Sequence, residues 1–298
     1  MGSTHVPTSA ITLIVSSTLC FSLLDTIVKY LAPHYPVPLL VWARWGFQAV
    51  AMAIWLGPRM KLGLVRTPRP GLQIVRGVVI VVSAVLFMTA LKHMPLADAT
   101  ALNYSSPVIV ILMAVLFLNE RMTPARVAFV VAGIAGMLMI VRPGTEIFRG
   151  ASLLALCAAA VYACYQILTR MVADEDPRVT LFYPALVCAA VMTPILPVLD
   201  IRTQMPLTDA LLICGAGLLG TLGHFLFILA FQRAPASALT PFTYMQLVWA
   251  MFIGWIVFGD FPDTLALAGM IVIAGSGLLM ALYERHRRSG RLLSLIHI

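Results

Sequence analysis

The chain has 298 residues, of which 61% are hydrophobic and only 11% are charged, and its mean hydropathy is +0.96. A soluble globular chain carries roughly 25% charged residues, so this composition excludes an ordinary soluble domain and indicates a polytopic membrane protein. The net charge of +8 does not indicate a nucleic-acid partner, because the basic residues fall in short gaps between apolar segments. The five cysteines lie inside apolar segments without metal-ligand spacing, so we expect no metal and no other cofactor.

Ten apolar segments follow one another along the chain, each close to the roughly 20 residues that a helix needs to cross about 30 Å of hydrocarbon. The predicted spans are residues 9–31, 38–57, 72–92, 97–118, 125–141, 150–171, 179–198, 208–231, 237–258 and 264–283. The first is interpreted as a span and not as a signal peptide, since no basic region or cleavage site precedes it. The motif "GAGLLG" at 215–220 matches a dinucleotide-binding pattern, but it lies within an apolar segment, where small residues indicate close helix packing.

The basic residues predict the topology. Thirteen of the 20 Lys and Arg residues lie on the side of the N-terminus, five lie on the opposite side, and Arg44 and Arg76 lie within spans. The positive-inside rule therefore places both termini in the cytoplasm. Arg76, one turn into its span, is predicted to snorkel to the cytoplasmic surface. Residues 285–298 are predicted to form a basic cytoplasmic tail, and 293–298 ("LSLIHI") are interpreted as an artefact, because one reading frame of a common sequencing adapter encodes them.

An internal repeat relates the two halves of the chain. With an offset of 140, residues 90–108 align with 230–248 without a gap, and five of the nineteen positions are identical. The identical pairs are Ala90/Ala230, Pro95/Pro235, Thr100/Thr240, Tyr104/Tyr244 and Val108/Val248. An odd number of spans per repeat forces the second copy to be inserted upside down. The sequence therefore predicts an all-α polytopic membrane protein whose ten transmembrane helices form two inverted five-helix repeats, at 9–141 and 150–284, as in many secondary transporters.

Several motifs resemble those of the drug/metabolite transporter superfamily, EamA type. They are "WARWGF" in the second span, "LNERMTP" after the fourth and "ASALTPFTYMQLVWAMFIGWIVFGD" in the ninth. The resemblance covers residues 9 to 284 and implies an alternating-access carrier with a central cavity lined by both halves. It also implies small metabolites as solutes, and both aromatic amino-acid exporters and S-adenosylmethionine carriers belong to the families that the chain resembles.

The fourth and ninth spans carry polar side chains at helical spacing, which predicts that they line the cavity. In the fourth span these are Asn103 and Tyr104, and in the ninth they are Tyr244, Gln246 and Trp249. The alternative is that such groups only cross-link helices through hydrogen bonds worth on average about 0.6 kcal/mol each, and this alternative is favoured for Thr100 and Thr240.

Other candidates lie in the sixth and second spans. Tyr162 and Gln166 lie on overlapping faces of the sixth span, and aromatic rings with an amide can hold an apolar or zwitterionic solute. The guanidinium of Arg44 could bind a solute carboxylate, or pair with Asp25 or a helix-end carbonyl. The resemblance implies a structural or gating role for this arginine.

Two residues are candidates for ion coupling. His224 is an imidazole well inside a span, and an imidazole titrates near neutral pH. The favoured alternative is a packed core histidine that is hydrogen-bonded to a carbonyl. Asp25 lies near the outer end of the first span, where an ordinary ion pair with Lys29, four residues on, is the alternative.

The sequence thus predicts a carrier in the inner membrane that exports a small metabolite such as an amino acid. The alternatives are an importer or exchanger of a metabolite such as S-adenosylmethionine, and an intramembrane enzyme, which would need a nucleophile–base pair, a metal cluster or a carboxylate dyad that the spans do not display. A sensor or scaffold is disfavoured, because no long soluble segment lies outside the spans. The expected partners are the solute and the lipid bilayer, with the chain as a monomer or homodimer.

Overall fold

The computed structural model describes residues 7–118, 124–142, 150–172, 174–199, 205–234, 239 and 242–296. It is 86% helical, with no strand among these residues. The helices are α1 (Thr8–Leu31), α2 (Val37–Met60), α3 (Pro70–His93), α4 (Leu96–Asn103), α5 (Ser106–Leu118), α6 (Pro124–Val141), α7 (Gly150–Met171), α8 (Pro177–Met192), α9 (Leu207–Arg233), α10 (Met245–Phe258) and α11 (Thr264–Ile296). Short 3-10 helices at Lys61–Leu64 and Leu196–Val198 follow α2 and α8.

The described helices provide the ten predicted spans. Six segments are long and apolar enough to cross a membrane: Thr8–Leu31, Val37–Leu64, Pro70–His93, Leu96–Met113, Gly150–Thr169 and Leu207–Ala230. Four shorter apolar helices take the remaining places: Val127–Val141, Pro177–Met192, Met245–Phe258 and Thr264–Met280. The prediction of an all-α polytopic membrane protein is confirmed. The last helix continues through the basic tail to Ile296, beyond the predicted end of the span at residue 283.

The fourth span is two helices and not one. Pro107 has no backbone N–H to donate to Asn103, so a continuous α-helix would lack a bond at this point. The chain instead turns at Tyr104, whose N–H still bonds Thr100 O at 3.0 Å, and α5 starts at Ser106 with the proline in its first turn. The break places Tyr104 at a bend inside the bundle.

The helices pack in a pattern that is symmetric between the halves. With the offset of the repeat, α1, α2 and α3 correspond to α7, α8 and α9. Packing of α1 against α9 is matched by α7 against α3, and packing of α2 against α9 is matched by α8 against α3. The helices α2 and α8 also pack against each other, as do α6 and α11. Such a pattern is what a two-fold relation between inverted repeats requires.

Small residues on α9 bring this helix close to the first half. A Cβ atom at Gly217 would lie 2.5 Å from the Cβ of Phe47, and one at Gly223 would lie 2.8 Å from a ring carbon of Phe21. Neither position can hold a side chain without a shift of its neighbour. Of the predicted motif, Gly217 allows close packing, whereas a Cβ at Gly215 would meet no atom within 4 Å. Gly223, just beyond the motif, has the same role as Gly217, and these two glycines set the distance between α9 and helices α1 and α2.

Candidate functional site

Arg44 lies on α2 where this helix meets α9. Its side chain is half-buried, and its guanidinium carbon lies 5.1 Å from the centre of the Trp45 ring, within cation–π distance. Gly220 makes room for it, since a Cβ there would lie 3.5 Å from Arg44 Nε. That Nε is buried, and no described residue accepts a hydrogen bond from it.

His224 lies on α9, one turn beyond this glycine. Its ring centroid is 4.9 Å from that of Phe21 in an edge-on contact and 6.2 Å from that of Trp45 in a stacked one. The Nε2 atom of His224 and the indole Nε1 atom of Trp45 are also buried without a hydrogen-bond partner among the described residues. Two aromatic side chains of the first half thus hold an imidazole of the second.

Tyr104, at the bend between α4 and α5, connects the two halves. Its hydroxyl lies 2.8 Å from Thr243 O and 3.0 Å from Gln246 Oε1, and its ring centroid is 5.4 Å from that of Tyr244. The hydroxyl of Tyr244 in turn lies so close to Gly277 that a Cβ there would clash with it. The repeat-related tyrosines therefore meet at the interface of the halves.

Asp25 completes this cluster from α1. Its side chain is only 7% exposed and accepts a hydrogen bond of 3.4 Å from Gln246 Nε2. The same helix contributes Ser22, whose hydroxyl donates to Gln246 O at 3.2 Å. Arg44 lies within electrostatic range of this carboxyl group. Gln246 is therefore held by α1 on one side and by Tyr104 on the other.

The sixth-span candidates lie on α7. Tyr162 stacks on Tyr165 with ring centroids 5.7 Å apart, and it lies within electrostatic range of both Arg44 and Tyr104. Gln166, one turn further on, donates to Ser106 Oγ at 3.2 Å. Tyr162 therefore lies in the region of Arg44 and Tyr104, while Gln166 contacts the start of α5.

Comparison with known proteins identifies the family. The model of the EamA-like transporter family matches the chain twice, at residues 8–142 and 149–282. The chain belongs to this family. It is therefore a multi-pass membrane transporter of the drug/metabolite type and not an enzyme.

Three proteins illustrate the similarity. The S-adenosylmethionine uptake transporter of Rickettsia felis is 27% identical over 270 residues, covering 89% of this chain and 90% of its own. The pseudopaline exporter of Pseudomonas aeruginosa is 27% identical over 268 residues, covering 89% and 93%. A crystal structure at 20% identity has a TM-score of 0.66 and covers 92% of this chain and 97% of its own, which supports the fold.

Not every predicted site residue of this EamA-like transporter joins the central cluster. Asn103 is half-buried at the end of α4, and within the described part of the chain it makes no hydrogen bond to the cluster. Trp249 is half-buried on α10, with its indole nitrogen buried and without a described partner. The Thr100 hydroxyl bonds Leu96 O of its own helix at 2.8 Å, a bond that neither joins the cluster nor cross-links two helices. Thr240 lies outside the described residues.

The alternative interpretation of Asp25, as the partner of Lys29 in an ordinary helical ion pair, is wrong. Lys29 Nζ instead donates to Met94 O at 2.6 Å, lies 3.6 Å from Asp260 Oδ2, and lies 5.1 Å from the centre of the Phe258 ring. The physical reason is that the cation gains a carbonyl, a carboxylate and a ring at the helix end, whereas Asp25 is turned inward to Gln246. Sequence spacing could not reveal this partner, because it comes from the other half of the chain.

Further charged residues surround Lys29 at what we call the Lys29 end of the bundle. Arg142 forms an ion pair with Asp263, and Asp263 Oδ1 also accepts bonds from the N–H groups of Leu265 and Ala266 at the start of α11. These contacts, with that of Ala266 the largest, lower the pKa of Asp263 below its usual value. Asp98, on α4, has a buried Oδ1 without a described hydrogen-bond partner.

The prediction that Arg76 snorkels to the surface is also wrong. The residue is only 1% exposed, and we call its surroundings the Arg76 end. The arginine is buried because its partners come from α3, α7 and α8 and leave it no path to solvent. Its guanidinium donates to Gln73 Oε1 at 3.2 Å, Tyr165 OH at 3.2 Å, Thr169 Oγ1 at 3.4 Å and the carbonyl of Thr180.

Glu175 is the carboxylate of the Arg76 end. Its Oε2 accepts bonds from Thr67 Oγ1 at 2.5 Å and Gln73 Nε2 at 2.8 Å. Nearby, Arg69 pairs with Asp174 at 3.1 Å, with both side chains largely exposed. These contacts join the α2–α3 region of the first half to the α7–α8 region of the second. The charged residues of "ADEDPR" were the available sequence signal, but nothing in the sequence indicated their partners.

Proposed function

We propose that this transporter is a secondary, alternating-access carrier that exports a small metabolite such as an amino acid across the inner membrane. The observation that carries the proposal is the polar cluster at the interface of the halves, where Tyr104 contacts Thr243 and Gln246 and where Gln246 contacts Asp25. Helices from both halves contribute to it, so a movement of one half against the other changes the site. Such a site near the middle of the spans is the plan of inverted-repeat carriers.

The chemistry of the cluster fits a small zwitterionic or aromatic solute. Tyr104, Tyr162 and Tyr244 provide ring faces for an apolar moiety, and Gln246 provides both a donor and an acceptor. Arg44 and Asp25 supply opposite charges within electrostatic range of each other. The proposed solute-binding set is Arg44, Asn103, Tyr104, Tyr162, Gln166, Tyr244, Gln246 and Trp249.

Import or exchange is the second candidate for direction. The similarity to an uptake transporter and to an exporter at the same 27% identity supports both directions. Export remains our proposal, and the importer would carry a metabolite such as S-adenosylmethionine. The proposed topology has both termini in the cytoplasm, as the distribution of basic residues favours.

Asp25 is the proposed coupling residue, with His224 as the second candidate. The Asp25 carboxyl contacts Gln246, which contacts Tyr104, so a change of its charge acts on the hydrogen bonds between the halves. We expect a pH gradient across vesicles to change the transport rate of the wild type but not that of Asp25→Asn. If Asp25→Asn still responds to the pH gradient and His224→Asn does not, then His224 is the coupling residue.

The experiment for the carrier proposal uses purified protein in liposomes. Vesicles are loaded with a panel of radiolabelled amino acids, nucleosides and S-adenosylmethionine, and efflux and counterflow are followed. Protein-dependent movement of at least one solute is expected. Absence of any uptake, efflux or exchange, together with specific turnover of a lipid, would overturn the proposal.

Substitutions test the assignment of the cavity. We expect Tyr104→Phe, Gln166→Ala and Tyr244→Phe to lower transport, with the loss of the Tyr104 hydrogen bonds costing roughly tenfold. Tyr30→Phe is the matched control, because Tyr30 is 52% exposed on α1 and lies away from the cluster. Normal transport by all three variants, at wild-type protein levels, would show that the cavity lies elsewhere.

A further inference from the structure

Three neighbouring side chains at the junction of α2 and α9 each carry a buried nitrogen atom without a described hydrogen-bond partner. These atoms are Arg44 Nε, Trp45 Nε1 and His224 Nε2, and no described residue forms a hydrogen bond with any of them. Buried polar atoms in folded proteins are nearly always hydrogen-bonded, because an unpaired one loses its bonds to water and gains none in return. Three side chains with unpaired nitrogen atoms at the junction of α2 and α9 therefore require an explanation, and a bound solute provides one.

The side chains are neighbours. The Arg44 guanidinium lies over the Trp45 ring at 5.1 Å, and the Trp45 ring lies 6.2 Å from the ring of His224. Phe21 closes the other side of the imidazole at 4.9 Å. Helices α1 and α2 come from the first half and α9 comes from the second, so the group sits across the interface at which alternating access would act.

The chemistry of these nitrogens specifies what they bind. A guanidinium and an indole N–H can only donate hydrogen bonds, and a neutral imidazole donates through Nε2 in one of its two tautomers. The complementary group must therefore accept several bonds, and the charge of Arg44 favours an anion. Planar carboxylates accept two parallel bonds from a guanidinium, which a single hydroxyl or carbonyl cannot do.

No protein carboxylate fills this role within the described chain. Asp25 lies within electrostatic range of Arg44, but its described hydrogen bond is to Gln246 Nε2 on α10. The described ion pairs of the protein do not include Arg44. Asp25 instead places its carboxyl group near the subsite, where in its ionised form it would favour a positively charged group on the same solute.

We infer that Arg44, Trp45 and His224 form the subsite that binds the carboxylate of the transported solute. The inference rests on the proposed carrier function and narrows its solute to a class, that of small carboxylates, zwitterionic amino acids among them. Arg44 provides the charge, Trp45 supports the guanidinium and adds a donor, and His224 adds the donor from the second half. On this inference His224 acts in solute binding, so Asp25 alone remains as the candidate for proton coupling.

The test compares acids with their neutral analogues. Liposomes containing the full chain are assayed with amino acids and with the corresponding amino acid amides, in which a carboxamide replaces the α-carboxylate. A site built around donors to a carboxylate should discriminate strongly, because the amide removes the charge and an acceptor. We expect the concentration that gives half-maximal transport to be roughly tenfold to 100-fold higher for the amides than for the acids. Equal transport of acid and amide, or a transported solute that has no acidic group, would overturn the inference while leaving the carrier proposal intact.

Variants assign the effect to the three residues. Arg44→Gln should lose the discrimination between acid and amide, and Arg44→Lys should restore part of it. Trp45→Phe keeps the ring but removes the N–H, and His224→Asn should weaken acids more than amides. Trp55→Phe is the matched control, because Trp55 lies on the same helix but is 52% exposed. Unchanged discrimination in Trp45→Phe and His224→Asn would exclude both from the subsite.

A binding measurement separates this inference from the proposed function. Thermal unfolding in detergent is recorded with each amino acid and each amide, with no transport required. Acids should raise the unfolding temperature of the wild type and of Trp55→Phe, but not that of Arg44→Gln, while amides should do so in none. If transport fails but this pattern is found, the carrier proposal is wrong and the subsite stands. If acids stabilise no protein, or stabilise Arg44→Gln as well, the subsite is wrong.

Discussion

The two ends of the bundle are both held by charged contacts between the halves, but the contacts differ in burial. At the Arg76 end, an arginine that is 1% exposed makes four hydrogen bonds to groups on α3, α7 and α8. At the Lys29 end, the side chains of Lys29 and Asp260 are 13% and 39% exposed and lie 3.6 Å apart. The first end is cross-linked by a dry network, and the second by a pair that water reaches.

This difference in burial determines how much free energy is needed to separate the two halves at each end. Removing one partner of a buried charged network is strongly destabilising, by about 3–5 kcal/mol, because the remaining groups lose their bonds and cannot reach water. A pair with one exposed partner costs less to break, because water hydrates the group that is left, as it can for Asp260. We therefore expect the Lys29 end to open more readily than the Arg76 end. The predictions below test this contrast.

The largest effect is expected for Arg76→Gln. The shorter, neutral side chain loses the bonds to Tyr165, Thr169 and Thr180, and it leaves the half-buried carboxyl group of Glu175 without its nearby cation. We expect the free energy of unfolding to fall by about 3–5 kcal/mol. Thermal and denaturant unfolding of the purified protein in detergent measure it.

Arg69→Gln is the control at the same end. Arg69 and Asp174 form a bidentate pair, but their side chains are 46% and 64% exposed. This variant should unfold close to the wild-type temperature. A similar loss of stability in both variants would mean that burial does not distinguish the contacts, and the contrast between the ends would fail.

Much of the fold could be predicted from the sequence, because span length and apolar composition are local properties. The ten spans follow from them, and the repeat follows from matched positions such as Tyr104 and Tyr244. The sequence predicts one span over 97–118 and not the bend at Tyr104, although Pro107 was its signal. The contacts of the bend depend on tertiary structure, because Thr243 and Gln246 come from the other half.

The errors of prediction concern charged residues, and they share one cause. Spacing along one helix suggests Asp25 as the partner of Lys29, but a lysine at a helix end selects among all groups that the fold brings there, and Asp260 is one of them. Position near a span end likewise suggests that Arg76 reaches water. Whether it does depends on the neighbours, and Tyr165 and Thr180 enclose it. Such partners become visible only in the folded chain.

An intermediate effect is expected for Asp263→Ala at the Lys29 end. Asp263 caps α11 through the N–H groups of Leu265 and Ala266, and removal of such a cap costs about 0.5–2 kcal/mol. Asp263→Asn should retain most of this contribution, since an amide oxygen also caps a helix. Unfolding at pH 7 compares the three proteins, and equal stability of the alanine and asparagine variants would contradict the capping role.

The same residue predicts a dependence on pH. The pKa of Asp263 is lower in the folded protein than the ordinary value of 3.8. Its carboxylate therefore stabilises the folded state fully above about pH 4, and this contribution is lost as the pH falls through the lower, folded pKa. The difference between wild type and Asp263→Ala should be constant from neutral pH down to about 5 and should shrink below about pH 4. A difference that instead grows on acidification would contradict the assignment.

The smallest effect on stability, and the sharpest test of the contrast, is expected for Lys29→Met. The methionine keeps most of the apolar stem but loses the hydrogen bond to Met94 O, the contact with the Phe258 ring and the ion pair with Asp260. Because water reaches Asp260, we expect the free energy of unfolding to change by only about 1 kcal/mol. The Lys29 end should open more often in this variant, and this effect should exceed the effect on stability, because the lost ion pair joins α1 to the residues after α10. A thiol introduced by Ser22→Cys reports this seam, since Ser22 is 1% exposed and its hydroxyl contacts Gln246 O.

The reporter is used in a chain whose five native cysteines are replaced, and its rate of reaction with a small thiol reagent is compared with and without Lys29→Met. We expect the rate to rise, because each opening of the Lys29 end exposes the thiol. A second thiol, from Ser83→Cys, reports the seam between α3 and α7, where the Ser83 hydroxyl bonds Ala158 O at 3.0 Å. Its rate should not change with Lys29→Met, because the Arg76 network still joins those helices. An equal rise at both positions would mean that the bundle loosens as a whole and that its ends do not open separately.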